Sequence, residues 1–191
     1  MNILITDKVD ALLIKLLEKH NITYEYNTED EKDVVLKKIN AFEGIIVRNR
    51  FKIDADFLLQ AKHLKFIARY GSGMESINVK MANELSIKCF NSAEGNCNSV
   101  GEHALGMLLS LFHNINSSMN QLKNQVWNRE GNRGIELNGK TVGIIGYGNT
   151  GHAFAQKLRG FGCRVISYDK YKSGFGNSYI TECDMKTMYA N

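Results

Sequence analysis

Proline is missing altogether from this 191-residue chain, where average usage would supply about ten. Together with ordinary apolar content, that excludes a collagen-like chain. Cysteine is sparse. Cys89, Cys97, Cys163 and Cys183 show no CxxC or CxH spacing, which argues against a zinc site and against a disulfide scaffold. They are expected to be buried, reduced thiols of a cytoplasmic protein. An excess of one charge is lacking too: 24 Lys plus Arg stand against 20 Asp plus Glu, a net charge of +4. That is too weak and too dispersed to indicate a nucleic acid or a membrane surface as partner. The longest apolar run, around residues 105–112, is interrupted by Gly106 and Ser110 and is too short to span a bilayer. The opening Met1-Asn-Ile-Leu-Ile-Thr-Asp7 lacks the basic region and long apolar stretch of a signal peptide, so a cytoplasmic location is expected.

With 43% hydrophobic and 23% charged residues, the chain can bury a sizeable core and is not disordered. Its length is generous for one domain and short for two. Over the first ninety residues, apolar runs at 2–5, 22–26, 44–47, 64–68 and 87–90 alternate with helical patterns at 8–20, 29–39, 55–61 and 74–84. Such alternation predicts a parallel sheet covered by helices on both faces, an α/β domain over residues 1–92. The polar stretch 91–98 reads as a boundary loop. Ser99 is then expected to cap one long helix, 100–122. Its first half is apolar nearly all round, which places it in a core or a subunit interface.

Residues 93–191 carry the most specific motif. Gly146, Gly148 and Gly151 form G-x-G-x-x-G in Gly146-Tyr147-Gly148-Asn149-Thr150-Gly151. An apolar strand at 141–145 enters it and a helical stretch to about Phe161 leaves it. Gly146 permits the tight turn, Gly148 lets a pyrophosphate approach the backbone, and Gly151 lets helix and strand pack closely. The helix N-terminus would point free N–H groups at the phosphates. A second strand over 163–168 ends at Asp169, 18 residues past Gly151. There a carboxylate would take a ribose hydroxyl and repel a 2′-phosphate, which favours NAD over NADP; the neighbouring Lys170 weakens that preference.

Further segments complete a pattern: Val47-Arg-Asn-Arg50, the stretch 67–78 containing Arg69 and Gly71-Ser72-Gly73, Asn96-Cys-Asn-Ser-Val-Gly-Glu-His103, and Trp127. With the glycine motif, the chain resembles the D-isomer-specific 2-hydroxyacid dehydrogenase family over its whole length, and within it the phosphoglycerate dehydrogenases most. The resemblance implies a flavodoxin-like, parallel-sheet substrate domain followed by the first part of a Rossmann NAD-binding domain. It implies that the amides of Gly71, Ser72 and Gly73 hold a substrate carboxylate, that Asn96 faces the substrate, and that Arg48 and Arg69 hold a phosphate. A guanidinium suits that task because it forks onto an oxyanion and stays charged; as surface groups, both arginines could equally be solvated charges. A small 2-hydroxy or 2-oxo acid is the implied substrate. A homodimer through the 100–115 region is the implied assembly. The sequence departs from the family pattern in two places: Ser92-Ala93-Glu94 and Lys170 stand where prolines are usual, so both loops are expected to be less pre-organised.

The family's reaction needs an arginine to polarise the carbonyl and a His–carboxylate pair to move the proton. The resemblance places these beyond Asn191, so no catalytic residue is assigned here. Glu102 and His103 are adjacent in a helix and therefore point apart. His152 sits in the helix N-terminus behind the glycine motif, where the dipole disfavours a cation, and His20, His63 and His113 have no evident partner. Two readings follow. One is the N-terminal portion of an NAD-dependent dehydrogenase that does not turn over by itself. The other is a non-catalytic nucleotide-binding or dimerisation module on the same fold. In either case the strand at 141–145, with its fourth-strand neighbour missing, is expected to expose an apolar sheet edge.

Overall fold

Short β-branched runs bounded by polar turns form strands, and the helices between them bury one stripe each. In the computed structural model, which describes residues 1–191, β1 (Asn2–Ile5), α1 (Ala11–Lys19), β2 (Thr23–Tyr26), α2 (Lys32–Lys38), β3 (Gly44–Val47), α3 (Ala55–Gln60), β4 (Phe66–Arg69), α4 (Val79–Glu84) and β5 (Lys88–Phe90) succeed one another. All five strands are parallel in the order β2-β1-β3-β4-β5, the flavodoxin-like order. β3 is buried along its whole length, as a central strand covered on both faces must be. One face packs Leu4, Ile45, Val47 and Ile67 against Phe57, Leu58, Ile39 and Val35. The other packs Ile3, Ile5 and Ile46 against Leu17 and the partly buried Leu13 and Ile14 of α1. Full burial of a side chain such as Phe57 contributes about 1.5–3 kcal/mol. Local caps fix the helix starts: Asp10 accepts from the Leu12 amide and Asp54 from the Phe57 amide.

The chain divides into two compact units, Met1–Gly95 and Asn96–Asn191, three residues later than the expected 92/93 division. The segment 91–98 is not a loop, because α5 runs Ala93–Phe112. Ala93, Cys97, Gly101, Ala104, Leu105, Leu108 and Phe112 are among its less exposed positions, a helical spacing that continues through the polar segment and overrides its weak propensity. Nor does one helix reach residue 122. Asn114 takes the left-handed conformation at φ 50°, and the Phe112 carbonyl accepts from the Ile135 amide at 2.9 Å instead of continuing the helical ladder. A separate α6 (Ile115–Lys123) follows. α5 is also not apolar-buried all round: Leu105, Leu108, Leu109 and Phe112 pack on the core of their unit, while Met107 and Leu111 are 62% and 73% exposed.

The second unit holds β6 (Thr141–Ile145), α7 (Asn149–Lys157), β7 (Arg164–Tyr168), β8 (Ile180–Glu182) and α8 (Met185–Ala190). Its sheet is parallel in the order β6-β7-β8. β6 pairs on one side only and Ile145 is 64% exposed, the open edge expected of a first Rossmann strand without its fourth-strand neighbour. α5 lies close on α7 at Gly101, where a Cβ would sit 3.0 Å from the backbone of Ala153 and Phe154. The cysteines form no disulfide, and only Cys163 is buried; Cys89, Cys97 and Cys183 are half-buried, contrary to expectation. No helix is long and apolar enough to cross a membrane.

Candidate functional site

The glycine motif occupies the turn from β6 into α7. Gly146 adopts φ +96°, which favours glycine, and a Cβ there would meet nothing within 4 Å. Gly148 is the N-cap of α7 and likewise faces open space. Gly151 differs: its Cβ would lie 1.9 Å from the Gly146 carbonyl oxygen and 3.4 Å from Ile144 Cγ2. Two glycines therefore leave room outside the chain, and the third lets helix and strand meet. No side chain caps α7, and Asn149 and Thr150 in its first turn are exposed. Uncapped N–H groups and the positive dipole end form a ready anion site.

The amides of the turn are not all free. Gly146 N donates to the Tyr168 carbonyl at 2.7 Å and Tyr147 N to Asp169 Oδ2 at 2.7 Å. The Tyr147 side chain turns inward. It is 6% exposed, stacks on Phe175 with ring centroids 4.6 Å apart, and has its hydroxyl 3.1 Å from His152 Nδ1. Burial pushes that hydroxyl's pKa up. Among the residues expected to line a cofactor, Tyr147 therefore supplies structure from below, and the outward positions are Gly146, Gly148, Asn149 and Thr150. Asp169 Oδ1 accepts from the amides of Tyr171 at 2.8 Å and Lys172 at 3.0 Å. The Tyr171 amide first, then that of Tyr147, holds the Asp169 carboxyl below the usual carboxylate range. The turn after Asp169 is thus well fixed despite Lys170 standing where a proline was expected. Lys170 itself reaches back over the Tyr171 ring, with Nζ 5.4 Å from the centroid.

In the first unit, the predicted anion loop follows the carboxyl end of β4, and Arg48 that of β3, where open α/β sheets place their ligands. Gly71 adopts φ +153°, and a Cβ there would lie 2.0 Å from Arg69 Nη1. Arg69 donates through Nη1 to the Tyr70 carbonyl at 2.9 Å and through Nη2 to Asn49 Oδ1 at 2.7 Å, and its buried Nε has no partner. The Gly71 carbonyl accepts from Ser92 N and the Ser72 carbonyl from Asn91 Nδ2. Gly73 lies against the Glu75 carboxylate, 2.2 Å from where a Cβ would be. Arg48 is exposed, and only its backbone amide is engaged, on Asp7 Oδ2 at 2.8 Å. Asn96 is an exposed position of α5 in the second unit.

Sequence reasoning missed Asp7 and Arg50. Asp7 is 8% exposed and gathers the amides of Arg48 and Asn49 and the Thr6 hydroxyl. Arg50 donates to the carbonyls of Thr6 and Asp30. An acidic residue two positions past the first strand was the available signal, since that position lies on the ligand edge of the sheet. Glu102 pairs with Lys157 at 3.3 Å, not with His103, and no salt bridge joins a histidine to a carboxylate.

Comparison with known proteins identifies the family. The family described as D-isomer specific 2-hydroxyacid dehydrogenase, catalytic domain, matches residues 3–190. D-3-phosphoglycerate dehydrogenase of Archaeoglobus fulgidus is 31% identical over 173 residues, 91% of this chain and 33% of that protein. Hydroxypyruvate reductase of Thermotoga maritima is 36% identical over 166 residues, 87% of this chain and 53% of that protein. The chain thus spans a third to about half of these relatives' length. The solved NAD-dependent formate dehydrogenase of Staphylococcus aureus, in complex with NAD, shares the fold with a TM-score of 0.79 at 23% identity, covering 98% of this chain and 62% of that one. With the parallel-sheet order, the glycine turn and a family match over nearly every residue, this chain belongs to the D-isomer-specific 2-hydroxyacid dehydrogenase family.

Proposed function

We propose that this chain supplies the cofactor turn and the substrate-anion loop of a cytoplasmic, NAD-dependent oxidoreductase acting on a small 2-hydroxy acid, with a 3-phosphoglycerate-like substrate favoured. The observation that carries this reading is the glycine turn: open space outside Gly146 and Gly148, an uncapped α7 N-terminus, and Asp169 beside it. These residues fit a dinucleotide. Gly148, Asn149, Thr150 and Gly151 would hold its pyrophosphate, and Asp169 its adenosine ribose. When bound, the nicotinamide accepts the hydride. Arg69, Gly71, Ser72 and Gly73 would orient the acid, with Arg48 reaching its phosphate. The buried Nε of Arg69 and the exposed guanidinium of Arg48 support the anion assignment.

Titrating the 191-residue chain with NADH and NADPH, by the change in nicotinamide fluorescence, tests this. Saturable NADH binding is expected, with NADPH weaker by about tenfold because a 2′-phosphate meets the Asp169 carboxylate. A folded chain that binds neither overturns the reading. Since no histidine here is paired with a carboxylate, the chain alone is expected to show no turnover with NAD and 3-phosphoglycerate; clear turnover would reveal catalytic groups not identified above.

The exposed Met107 and Leu111 on α5 favour a second element, pairing with another copy through the 100–115 region. They border a groove of about 700 Å³ with Gly106 and Ser110. Sedimentation is expected to give a dimer that Leu111→Glu converts to monomer; a monomeric wild-type chain rejects it.

A further inference from the structure

We propose that Asp169 is a positioning residue for the pyrophosphate turn: its carboxylate takes the Tyr147 amide, which follows the left-handed turn at Gly146, and so holds the glycine turn in shape before any nucleotide arrives. This rests on the dinucleotide reading above and adds a role that ribose recognition does not contain.

The parallel ladder pairs Ile145 with Tyr168 as its last rung. Beyond it the two strands diverge, β6 into the glycine turn and β7 into the connection to β8. The next amide, Gly146 N, still finds a backbone acceptor in the Tyr168 carbonyl at 2.7 Å. The amide after that, Tyr147 N, finds the Asp169 side chain at 2.7 Å. In a parallel ladder only alternate amides face a given neighbour, so Gly146 N completes the ladder; the Tyr147 amide, beyond the left-handed Gly146, is met by a carboxylate and not by a carbonyl. Being ionised, it makes the stronger bond.

The other oxygen anchors the carboxylate in turn. Oδ1 accepts from Tyr171 N and Lys172 N, closing the turn that starts at Asp169. A carboxylate offers about four acceptor sites, and three are filled by amides on two different segments. A second contact couples the same segments: the Tyr147 ring stacks on Phe175 of the β7–β8 connection at 4.6 Å. The Phe175 amide is itself held by Glu182 Oε2 at 3.0 Å. Asp169 therefore grips the turn from the side while Tyr147 and Phe175 grip it from below.

The consequences separate positioning from ribose contact. If Asp169 acted on ribose alone, its removal would leave the empty turn unchanged, and a cofactor lacking the adenosine 2′-hydroxyl would lose little. If it shapes the turn, the free protein changes and every pyrophosphate-bearing ligand weakens.

Hydrogen exchange of the ligand-free, full-length chain is the direct test. In Asp169→Ala, the amides of Tyr147, Tyr171 and Lys172 are expected to exchange at least about tenfold faster, the scale set by one charge-assisted bond. Amides of β3 and β4 in the first unit serve as the reference for an intact fold. Asp169→Asn keeps one acceptor oxygen and is expected to lie between; it decides the matter where the alanine variant does not fold. Affinity for an NADH analogue built on 2′-deoxyadenosine is expected to fall about tenfold in Asp169→Ala. Unchanged exchange at Tyr147, or an unchanged affinity for the deoxy analogue, overturns the proposal. Failure of the wild-type chain to bind NADH would instead defeat the functional reading, leaving the exchange result to judge the turn by itself.

Discussion

The two glycine loops look alike in sequence and differ in what their glycines make room for. In Gly71-Ser72-Gly73 the missing Cβ atoms accommodate the chain's own side chains, Arg69 at 2.0 Å and Glu75 at 2.2 Å. In the Gly146–Gly151 motif two glycines face open space and the third meets backbone at 1.9 Å. A glycine facing open space frees room for something outside the chain. A glycine under a flexible side chain marks a loop whose groups can move when a ligand comes. A glycine against backbone is architectural. One motif can contain more than one kind, so the glycines should not respond alike to substitution.

The sharpest break is expected at Gly151. In Gly151→Ala the methyl group cannot coexist with the Gly146 carbonyl, and no side chain can swing aside to relieve it. A loss of about 3 kcal/mol is expected, confined to the second unit and read as early urea unfolding of β6–β8 while the first unit keeps its midpoint. Gly71→Ala should cost less, about 1–2 kcal/mol, because the Arg69 head can move and only the φ of +153° remains strained. Gly148→Ala should be neutral for folding, within about 0.5 kcal/mol, since its φ of −79° suits any residue and nothing is nearby. Its NADH affinity should nevertheless fall by about tenfold. A Gly148 variant that unfolds, or one that binds NADH normally, would erase the distinction between the two loops.

How much of this was legible in the sequence divides along the same line. Strands buried on both faces, such as β3, declare themselves as short apolar runs, and the whole five-strand sheet followed from their alternation. The glycine turn and Asp169 were legible because strand, turn, helix and acid fall in register. What escaped depends on contacts far apart in the chain. Asp7 reaches residues 48 and 49 across the sheet, contacts that its place shortly after the first strand does not reveal. α5 begins at Ala93 because small inward residues continue its stripe through a segment whose composition says loop. It ends at Phe112 because Ile135 takes the carbonyl, a partner 23 residues away. Tyr147 was placed with the cofactor by motif position alone, whereas its ring is held by Phe175 and His152 beneath the turn.

Acid should separate the loops by a smaller effect. In the second unit, amide donors hold the Asp169 carboxyl below its usual range, Tyr171 foremost, and the Thr187 side chain and amide do the same for Asp184. In the first, Lys32 lowers Asp54, and Lys65 with the N-terminal ammonium lowers Glu43. A carboxyl depressed on folding stabilises the native state at pH values above its unfolded value, and that contribution disappears as pH falls through the folded value. Both units should therefore weaken below about pH 4. The partners differ, however. Ion pairs at exposed positions are screened by salt, whereas bonds to backbone amides at 2.7–2.8 Å are short-range and little affected. Thermal unfolding at pH 7 and pH 3.5, in low salt and in 0.5 M salt, reads the difference. The acid-induced drop in the first unit should shrink in high salt, and that in the second should persist. Equal salt sensitivity of both transitions would mean that the amide clasp around Asp169 contributes no more than a surface charge pair.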